Sequence, residues 1–561
     1  MKNSRLILIL AAIFFLAAFL RFYKLDEVPP GFHIDEVTVG YNAYSLAETG
    51  RDENGNFLPF YIDSFGDFRP AGYFYLTIPA IKIFGLNEFA VRFPSAFFGI
   101  LSVILIFFLA EKIFKNRFVS FLSSFLLAIS PWHLIVSRAT SESSVALFLI
   151  MLGVFLFLLG VENGKVRYFF LAVVSFFASF YTYHTPRIFV PLLILGLVVL
   201  SWQRLENSKI KKLAVVSLAL ILVGSFLIVF LGFGKGRFKQ VSIFSNPGVQ
   251  LRLDEQIREE PSGANIIFVR ALHNKLVNYG FEAISNYGRH FSVDFLFVNG
   301  GLPIRYTVPE SGLLYLIELP FLLSGIFLVF TGKKKLFFLP VYWLLAGPVA
   351  ASLTFEDIPN IQRAFFMLPS FQILSAYGFY RVATPATKNK NLTRNLLILA
   401  SSIILIFNFV YFFHQYFIHQ RVHRPWYRNY GMKELVASLN ELGHDYQKII
   451  LTKAHNDTYI YILFYDKYDP QTYQSYSSLR SKDTWGFEKY VFTSRDCPSW
   501  LKEEVLKDEK ILFVDKGECK PLPYAHVLKT IYREDRSPVF QIIEVDKNLA
   551  IDYFENTDKY D

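Results

Sequence analysis

Cysteine is nearly absent from this 561-residue chain: only Cys497 and Cys519 occur. Two thiols cannot build a four-cysteine zinc site or a disulfide framework, although a single bridge between them stays open. Charge is also scarce, at 19% Asp, Glu, Lys and Arg, against the roughly 25% usual in soluble domains. The chain is 53% hydrophobic and 18% aromatic, with a mean hydropathy of +0.33. Together these exclude a disordered chain, a coiled coil and a purely soluble enzyme. No GxxxxGK[ST] phosphate loop, HExxH, GxGxxG or GxSxG is present. The first absence argues against an ATP-driven machine and the second against a membrane metalloprotease. Internal repeats, low-complexity tracts and long linkers are missing too.

What the chain has is long apolar runs. A bilayer crossing needs about 20 apolar residues, with roughly 17 as the lower limit. Eleven runs meet this: 6–22, 94–110, 118–136, 144–160, 168–185, 186–203, 213–233, 312–331, 336–353, 363–382 and 395–413. The fifth and sixth are divided only by Pro186-Arg187 and read alternatively as one kinked helix. A cleaved leader is the other reading of the first run, because Lys2 and Arg5 precede it and Ala17-Ala18 lie within it.

Charge sets the sidedness. One set of short connections carries Lys2, Arg5, Lys112, Lys115, Arg117, Lys165, Arg167, Arg204, Lys209, Lys211, Lys212, Lys333, Lys334, Lys335, Lys388, Lys390 and Arg394, against the acids Glu111, Glu162 and Glu206. Basic short loops stay in the cytoplasm. The net charge of +10 therefore reads as an orientation signal and not as a nucleic-acid surface. The expectation is a multi-pass plasma-membrane protein with a cytoplasmic N-terminus and an extracytoplasmic C-terminus. Its transmembrane domain is 1–413, with outer loops 23–93 and 234–311, followed by an extracytoplasmic domain, 414–561. That last part alternates a helical pattern at 431–442 with apolar strands at 448–452, 510–514 and 539–545, which predicts a small α/β domain. The polar tail from Asn548 is expected to fray.

The first outer loop is dense in reactive residues: His33, Asp35, Glu36, Arg69, Tyr73 and, at its end, Arg92. Adjacent Asp35 and Glu36 cannot face the same way, so one can meet a substrate while the other binds backbone or a sugar hydroxyl. A partly desolvated carboxylate makes a general base. Acids offsetting a helix dipole are the competing reading. Arginine recurs at the outer boundaries, at Arg69, Arg92, Arg138, Arg187 and Arg363. A guanidinium matches a phosphate with two parallel hydrogen bonds, so a lipid-linked phosphate would account for the set. Snorkelling, or pairing with Glu142, Glu356 and Asp357, accounts for single members. The aromatic and amide-rich stretch around His273 and His290 suits a sugar, with a structural role as the competing reading of either lone histidine. No metal ligands are identified, and a divalent cation remains open as a cofactor.

These motifs, in this order and sidedness, resemble the large membrane glycosyltransferases of the C fold type (GT-C), and among them the protein O-mannosyltransferase and aminoarabinose transferase (ArnT-like) superfamily. The resemblance rests on Asp35-Glu36 in a long first outer loop and on Arg69-Pro70 before Tyr73-Phe74-Tyr75. It rests further on Glu88-Phe89-Ala90-Val91-Arg92-Phe93-Pro94-Ser95 and on Ser137-Arg138 with Glu142. It covers residues 1–200 firmly, weakens through 413 and is not claimed beyond. It implies an inverting glycosyltransferase using a sugar on polyprenyl phosphate at the outer face, with a protein, lipid or glycan acceptor. By that resemblance Asp35, Glu36 and Glu142 form the catalytic set, with Asp35 the base and Glu36 orienting the substrate. Arg69, Arg92, Arg138 and Arg363 would hold the donor phosphate, and His33, Tyr73, His184, Arg187 and His290 would bind substrate. Arg69 stands where relatives often have Lys, Ala71 replaces a second Pro, Glu142 stands for an Asp, and the β-trefoil of the eukaryotic enzymes is absent. These departures favour a prokaryotic type. A transporter or a non-catalytic envelope assembly protein is the alternative. A transporter would place its ionisable groups near the midplane and not at the outer boundaries.

Overall fold

The computed structural model describes residues 3–205, 207–230, 240–332, 334–384, 391–453, 457–476, 485–507 and 510–557. Lys2, Glu206, Lys333, Lys388 and Lys390 of the charge pattern, and 231–239 at the end of the seventh run and the start of the second outer loop, lie outside them. The chain divides into two compact units. The first comprises Met1–Tyr23, Asp63–Gly72 and Ser95–Gln415, and the second Lys24–Ile62, Tyr73–Pro94 and Tyr416–Asp561.

Apolar helices build the first unit. In chain order, with single turns unlabelled and two helices of the second unit included, they are α1 (Asn3–Phe22), α2 (Ile34–Thr49), α3 (Gly72–Phe84), α4 (Glu88–Phe114), α5 (Arg117–Ile129), α6 (Pro131–Ser137), α7 (Glu142–Asn163), α8 (Val166–Thr182), α9 (Pro186–Ser201) and α10 (Ser208–Phe230). There follow α11 (Pro247–Arg258), α12 (Ile266–Leu272), α13 (Lys275–Arg289), α14 (Glu318–Thr331), α15 (Leu339–Ala346), α16 (Leu368–Ala383) and α17 (Asn391–His414). Among the described residues seven helical segments are long and apolar enough to cross a bilayer, and α5 with α6 makes an eighth, bent by 55° at Ser130-Pro131. Proline removes a backbone donor there and Ser130 starts the new helix. α8, α14 and α16 have 17, 14 and 16 residues. At 1.5 Å per residue they fall short of a bilayer core of about 30 Å. Each of the eleven expected runs thus holds helix among its described residues, and 168–185 and 186–203 are two helices broken at 183–185. α14 and α16 cross at glycines: a Cβ on Gly378 would lie 1.9 Å from the Phe321 carbonyl, and one on Gly325 2.1 Å from that of Leu374. Without a hydrophobic drive between helices in lipid, such close backbone approach is what holds them.

The second unit is built on a six-stranded mixed sheet. Short strands β1 (Tyr61–Ser64) and β2 (Asp67–Pro70) precede it in the chain. The sheet contains β3 (Lys448–Thr452), β4 (Trp485–Phe487), β5 (Tyr490–Thr493), β6 (Ile511–Lys516), β7 (Ala525–Tyr532) and β8 (Pro538–Val545) in the order β4-β5-β3-β6-β8-β7. β3 runs parallel to β5 and β6, with Ile449 opposite Tyr490 and Leu512. The other pairs are antiparallel. Helices α18 (Met432–Leu442), α19 (Tyr459–Tyr465), α20 (Pro470–Tyr476) and α21 (Lys547–Thr557) complete it. Cys497 and Cys519 form a disulfide with their Cα atoms 5.9 Å apart, which settles the open pairing.

Two expectations change here. The tail from Asn548 does not fray as far as Thr557: it forms α21, with Ala550 fully buried against Tyr524 and Phe513. The alternation of apolar Ala550, Tyr553 and Phe554 supplies the face. Most of the first outer loop, expected with the spans, belongs instead to the sheet-containing unit. The reason is α2, whose Val37, Val39, Tyr41 and Ala43 are completely buried. Its Gly40 touches α19 so closely that a Cβ would meet Phe464 at 2.4 Å.

Candidate functional site: two polar clusters

In the second unit α2 starts at the expected acidic pair. His33 is the N-cap, its Nδ1 accepting the Asp35 N–H at 3.1 Å, and the Glu36 carboxylate accepts the His33 N–H at 3.2 Å. This reciprocal box satisfies donors that a helix start leaves unpaired. Arg92 then grips Glu36 with two charge-assisted bonds, Nε to Oε1 at 2.9 Å and Nη2 to Oε2 at 3.2 Å. Its remaining N–H groups donate to the carbonyls of Leu25, Pro29 and Gly31 at 2.8–3.1 Å. Asn429 accepts the Ile34 N–H and Tyr461 donates to the Phe32 carbonyl. Burial, then the fields of Glu36 and Asp35, raise the Tyr461 phenol well above its usual range. The pair ends up unequal. The Glu36 side chain is 4% exposed and that of Asp35 38%, with the His33 Nδ1 3.4 Å from an Asp35 oxygen.

In the first unit the acid is Glu142, the first residue of α7. It forms a buried ion pair with Arg69 of β2. Beside Arg69, the Phe68 carbonyl meets His184 Nε2 at 3.2 Å, and His184 Nδ1 accepts from Arg187 at 2.9 Å. The two ring nitrogens therefore act as one donor and one acceptor, the pattern of a neutral imidazole. Arg187 also donates twice to the Phe180 carbonyl. The α7 N-cap, Ser141, exchanges bonds with Ser95 at 2.9 Å and accepts from Gln362 at 3.2 Å, which also donates to Tyr306 at 2.8 Å. Asn360 caps the N–H groups of Gln362 and Arg363. Arg363 donates to Thr354 and to the Glu356 carbonyl. His290 accepts the Asn360 N–H at 3.1 Å and donates to the Asn286 carbonyl at 2.8 Å. Burial, with Arg363 nearby, lowers its pKa to about 4.

Several expected roles change on this geometry. Arg92 and Arg138 are completely buried, so neither presents its charge to a phosphate. Arg138 donates to the carbonyls of Leu20, Arg21 and Tyr23 at the end of α1, at 2.7–3.0 Å. Arg21, which the sequence did not single out, donates to Leu127 and Ala128 at the end of α5. Guanidinium groups here neutralise the negative ends of two helices. Glu36 orients the chain through Arg92 and is closed to substrate. Tyr73 is buried and donates to the Val91 carbonyl, and His290 is spent on two backbone groups. Arg69, Glu142, His184 and Arg187 come together, as do His33, Asp35, Glu36 and Arg92. Ser141, Tyr306 and Gln362 were not singled out in the sequence, and Ser95 only as the end of a motif, since uncharged side chains far apart in the chain give no local signal. Among the described residues no three His, Cys, Asp or Glu side chains converge as metal ligands.

Residues 69–228 match the family described as dolichyl-phosphate-mannose-protein mannosyltransferase. A candidate mannosyltransferase of Bacillus subtilis (strain 168), YkcB, is 26% identical over 216 residues, 38% of this chain. The aligned part spans 28% of that relative's length. ArnT from Cupriavidus metallidurans shares the fold over 98% of this chain and 99% of its own, with a TM-score of 0.53 and 12% identity. The same enzyme bound to undecaprenyl phosphate matches over 97% and 98%, at 0.52 and 12%. The oligosaccharyltransferase AglB from Archaeoglobus fulgidus, in complex with an inhibitory peptide and a dolichol-phosphate, covers 83% of this chain and 64% of its own, at 0.50 and 12%. The chain is a multi-pass membrane protein with the GT-C fold, and its residues 69–228 are similar to the glycosyltransferases described as dolichyl-phosphate-mannose-protein mannosyltransferases.

Proposed function

We propose that the protein is an inverting glycosyltransferase that moves a sugar from a polyprenyl-phosphate donor to an acceptor hydroxyl on the extracytoplasmic side. The observation that carries this is the unequal Asp35-Glu36 pair: Glu36 is clamped by Arg92, while Asp35 keeps a side chain 38% exposed at the first turn of a rigid helix. A base needs access, and a base that must not wander needs such a support. The acceptor oxygen attacks the anomeric carbon, its proton passes to the Asp35 carboxylate, and the bonding pair leaves on the phosphate oxygen of the donor. That single displacement inverts the centre and needs no second carboxylate as nucleophile.

Arg69 is the residue assigned to the donor phosphate, held in place by Glu142, with Arg363 as a second contact. A guanidinium tied on one side by a carboxylate is pre-oriented, which lowers the cost of engaging an anion. The donor class is supported by the family that residues 69–228 match and by the undecaprenyl phosphate and dolichol-phosphate bound to the two relatives of like fold. The basic short connections support transfer on the outer side. The sheet-containing unit is assigned a part in choosing the acceptor. The test is transfer from radiolabelled polyprenyl-phosphate sugars by the purified protein in vesicles. Label should pass to an acceptor fraction, with free polyprenyl phosphate released in equal amount. Binding of donor without any transfer, across a panel of sugars and envelope extracts, would return the protein to the non-catalytic reading.

A further inference from the structure

A cavity of about 260 Å³ lies within the first unit, walled by α5, α14, α16 and α17. It is larger than the roughly 150 Å³ that accommodates a benzene ring. Most of the wall is apolar, including Leu122, Phe125, Phe321 and Leu405, but Glu318 and Ser375 also line it. Glu318 is 3% exposed and Ser375 2%. One Glu318 oxygen accepts the Tyr315 N–H at 3.1 Å. The other, Oε2, has no hydrogen-bond partner among the described residues, nor has the Ser375 hydroxyl. Gln372 of α16 interacts with the same carboxyl, and neither of its amide atoms has a hydrogen-bond partner by distance and angle among the described residues.

A buried carboxyl oxygen without a partner is costly, and a membrane interior offers it no bulk water. We propose that this cavity is a lipid site whose occupant is a long-chain alcohol, its hydroxyl on Glu318 Oε2 and Ser375 and its chain along the aromatic wall. The chemistry selects that class. A hydroxyl both donates and accepts, so it satisfies Glu318 in either protonation state, whereas an alkane satisfies it in neither. The surroundings select a lipid, because four apolar helices line the cavity and it is open between them. α17 is the wall that gives access. Only 11% of its span is buried, and Ile403, Ile406 and Phe407 are 58–66% exposed. The site lies apart from Arg69 and Glu142 in the chain, shares no residue with the polar clusters above, and does not depend on the proposed transfer.

The experiment uses the full-length protein in nanodiscs with hexadecanol bearing a diazirine, and hexadecane bearing the same group as control. On irradiation the alcohol should label peptides from 118–126, 317–321 or 398–405 saturably, and excess hexadecanol should compete while hexadecane does not. Glu318→Leu should weaken labelling about tenfold or more. Ser402→Phe, which fills the cavity from α17, should abolish it in protein with an unchanged thermal midpoint. Unsaturable label spread over all lipid-facing helices, or label unaffected by Ser402→Phe, overturns the site. Equal labelling by the alkane, or full labelling of Glu318→Leu, overturns the alcohol.

Discussion

One methylene separates Asp35 from Glu36, and it decides which is held. The longer side chain reaches back to the His33 N–H and across to Arg92, while the shorter one stops at the helix rim. Asp35→Asn preserves shape and removes basicity, so transfer should fall about 10²–10⁴-fold with donor binding retained. Turnover within a few-fold of the parent would move the base elsewhere. The Arg69–Glu142 pair invites a cycle. Arg69→Ala strands a buried carboxylate and should cost about 3–5 kcal/mol in denaturant titrations, whereas Arg69→Ala with Glu142→Ala should recover part of it. If the double variant binds donor as well as the parent does, and not roughly thirty- to a thousand-fold more weakly, the pair is purely structural. His290 gives a pH signature. Its folded pKa of about 4 lies below the ordinary histidine value of 6.5, so between those values the unfolded chain binds the extra proton. Its contribution is complete above pH 6.5 and is lost as pH falls toward 4, by at most about 3 kcal/mol. His290→Gln should flatten the thermal midpoint over that window, and an unaltered pH slope would show that another group titrates there.

Helices and strands show where sequence reading succeeds. Long apolar runs survive any tertiary context, so all eleven were legible, as were β3, β6, β8 and α18. β4, β5 and β7 were not. The first two are only three and four residues long, too short for a period to stand out. Arg92 and Arg138 were legible as arginines in need of partners, but those partners are main-chain carbonyls, which every sequence possesses and none advertises. The placing of α2 was hidden for a related reason: its burial depends on α19, more than 400 residues later. Gly40 is the point of contact. Gly40→Val should overpack Phe464 and Val91 and lower stability by about 1–3 kcal/mol. An unshifted thermal midpoint would mean that α2 and α19 do not pack in solution.

At the scale of the molecule the orientation is open to a direct test. A phosphatase reporter after Asp561 should be active outside the cytoplasm and a cytoplasm-dependent reporter there silent; the reverse pattern would invert the assigned faces. Removing 431–561 tests the division into units. Because α2 packs on α19, that deletion should expose 24–62 to protease and abolish transfer even to the simplest acceptor. A truncated protein with a protected first loop and residual transfer would show that α2 folds without the sheet. The same division sets a timetable for synthesis. The second unit is drawn from three stretches, the second ending at Pro94 and the third beginning at Tyr416. At about 5–20 residues per second, the ribosome takes roughly 15–60 s to bridge that gap. The apolar face of α2 leaves the ribosome early and must wait for the last quarter of the chain. During that interval the nascent protein is a client for whatever holds unfinished chains at the membrane, and a slow or stalled ribosome would lengthen its exposure.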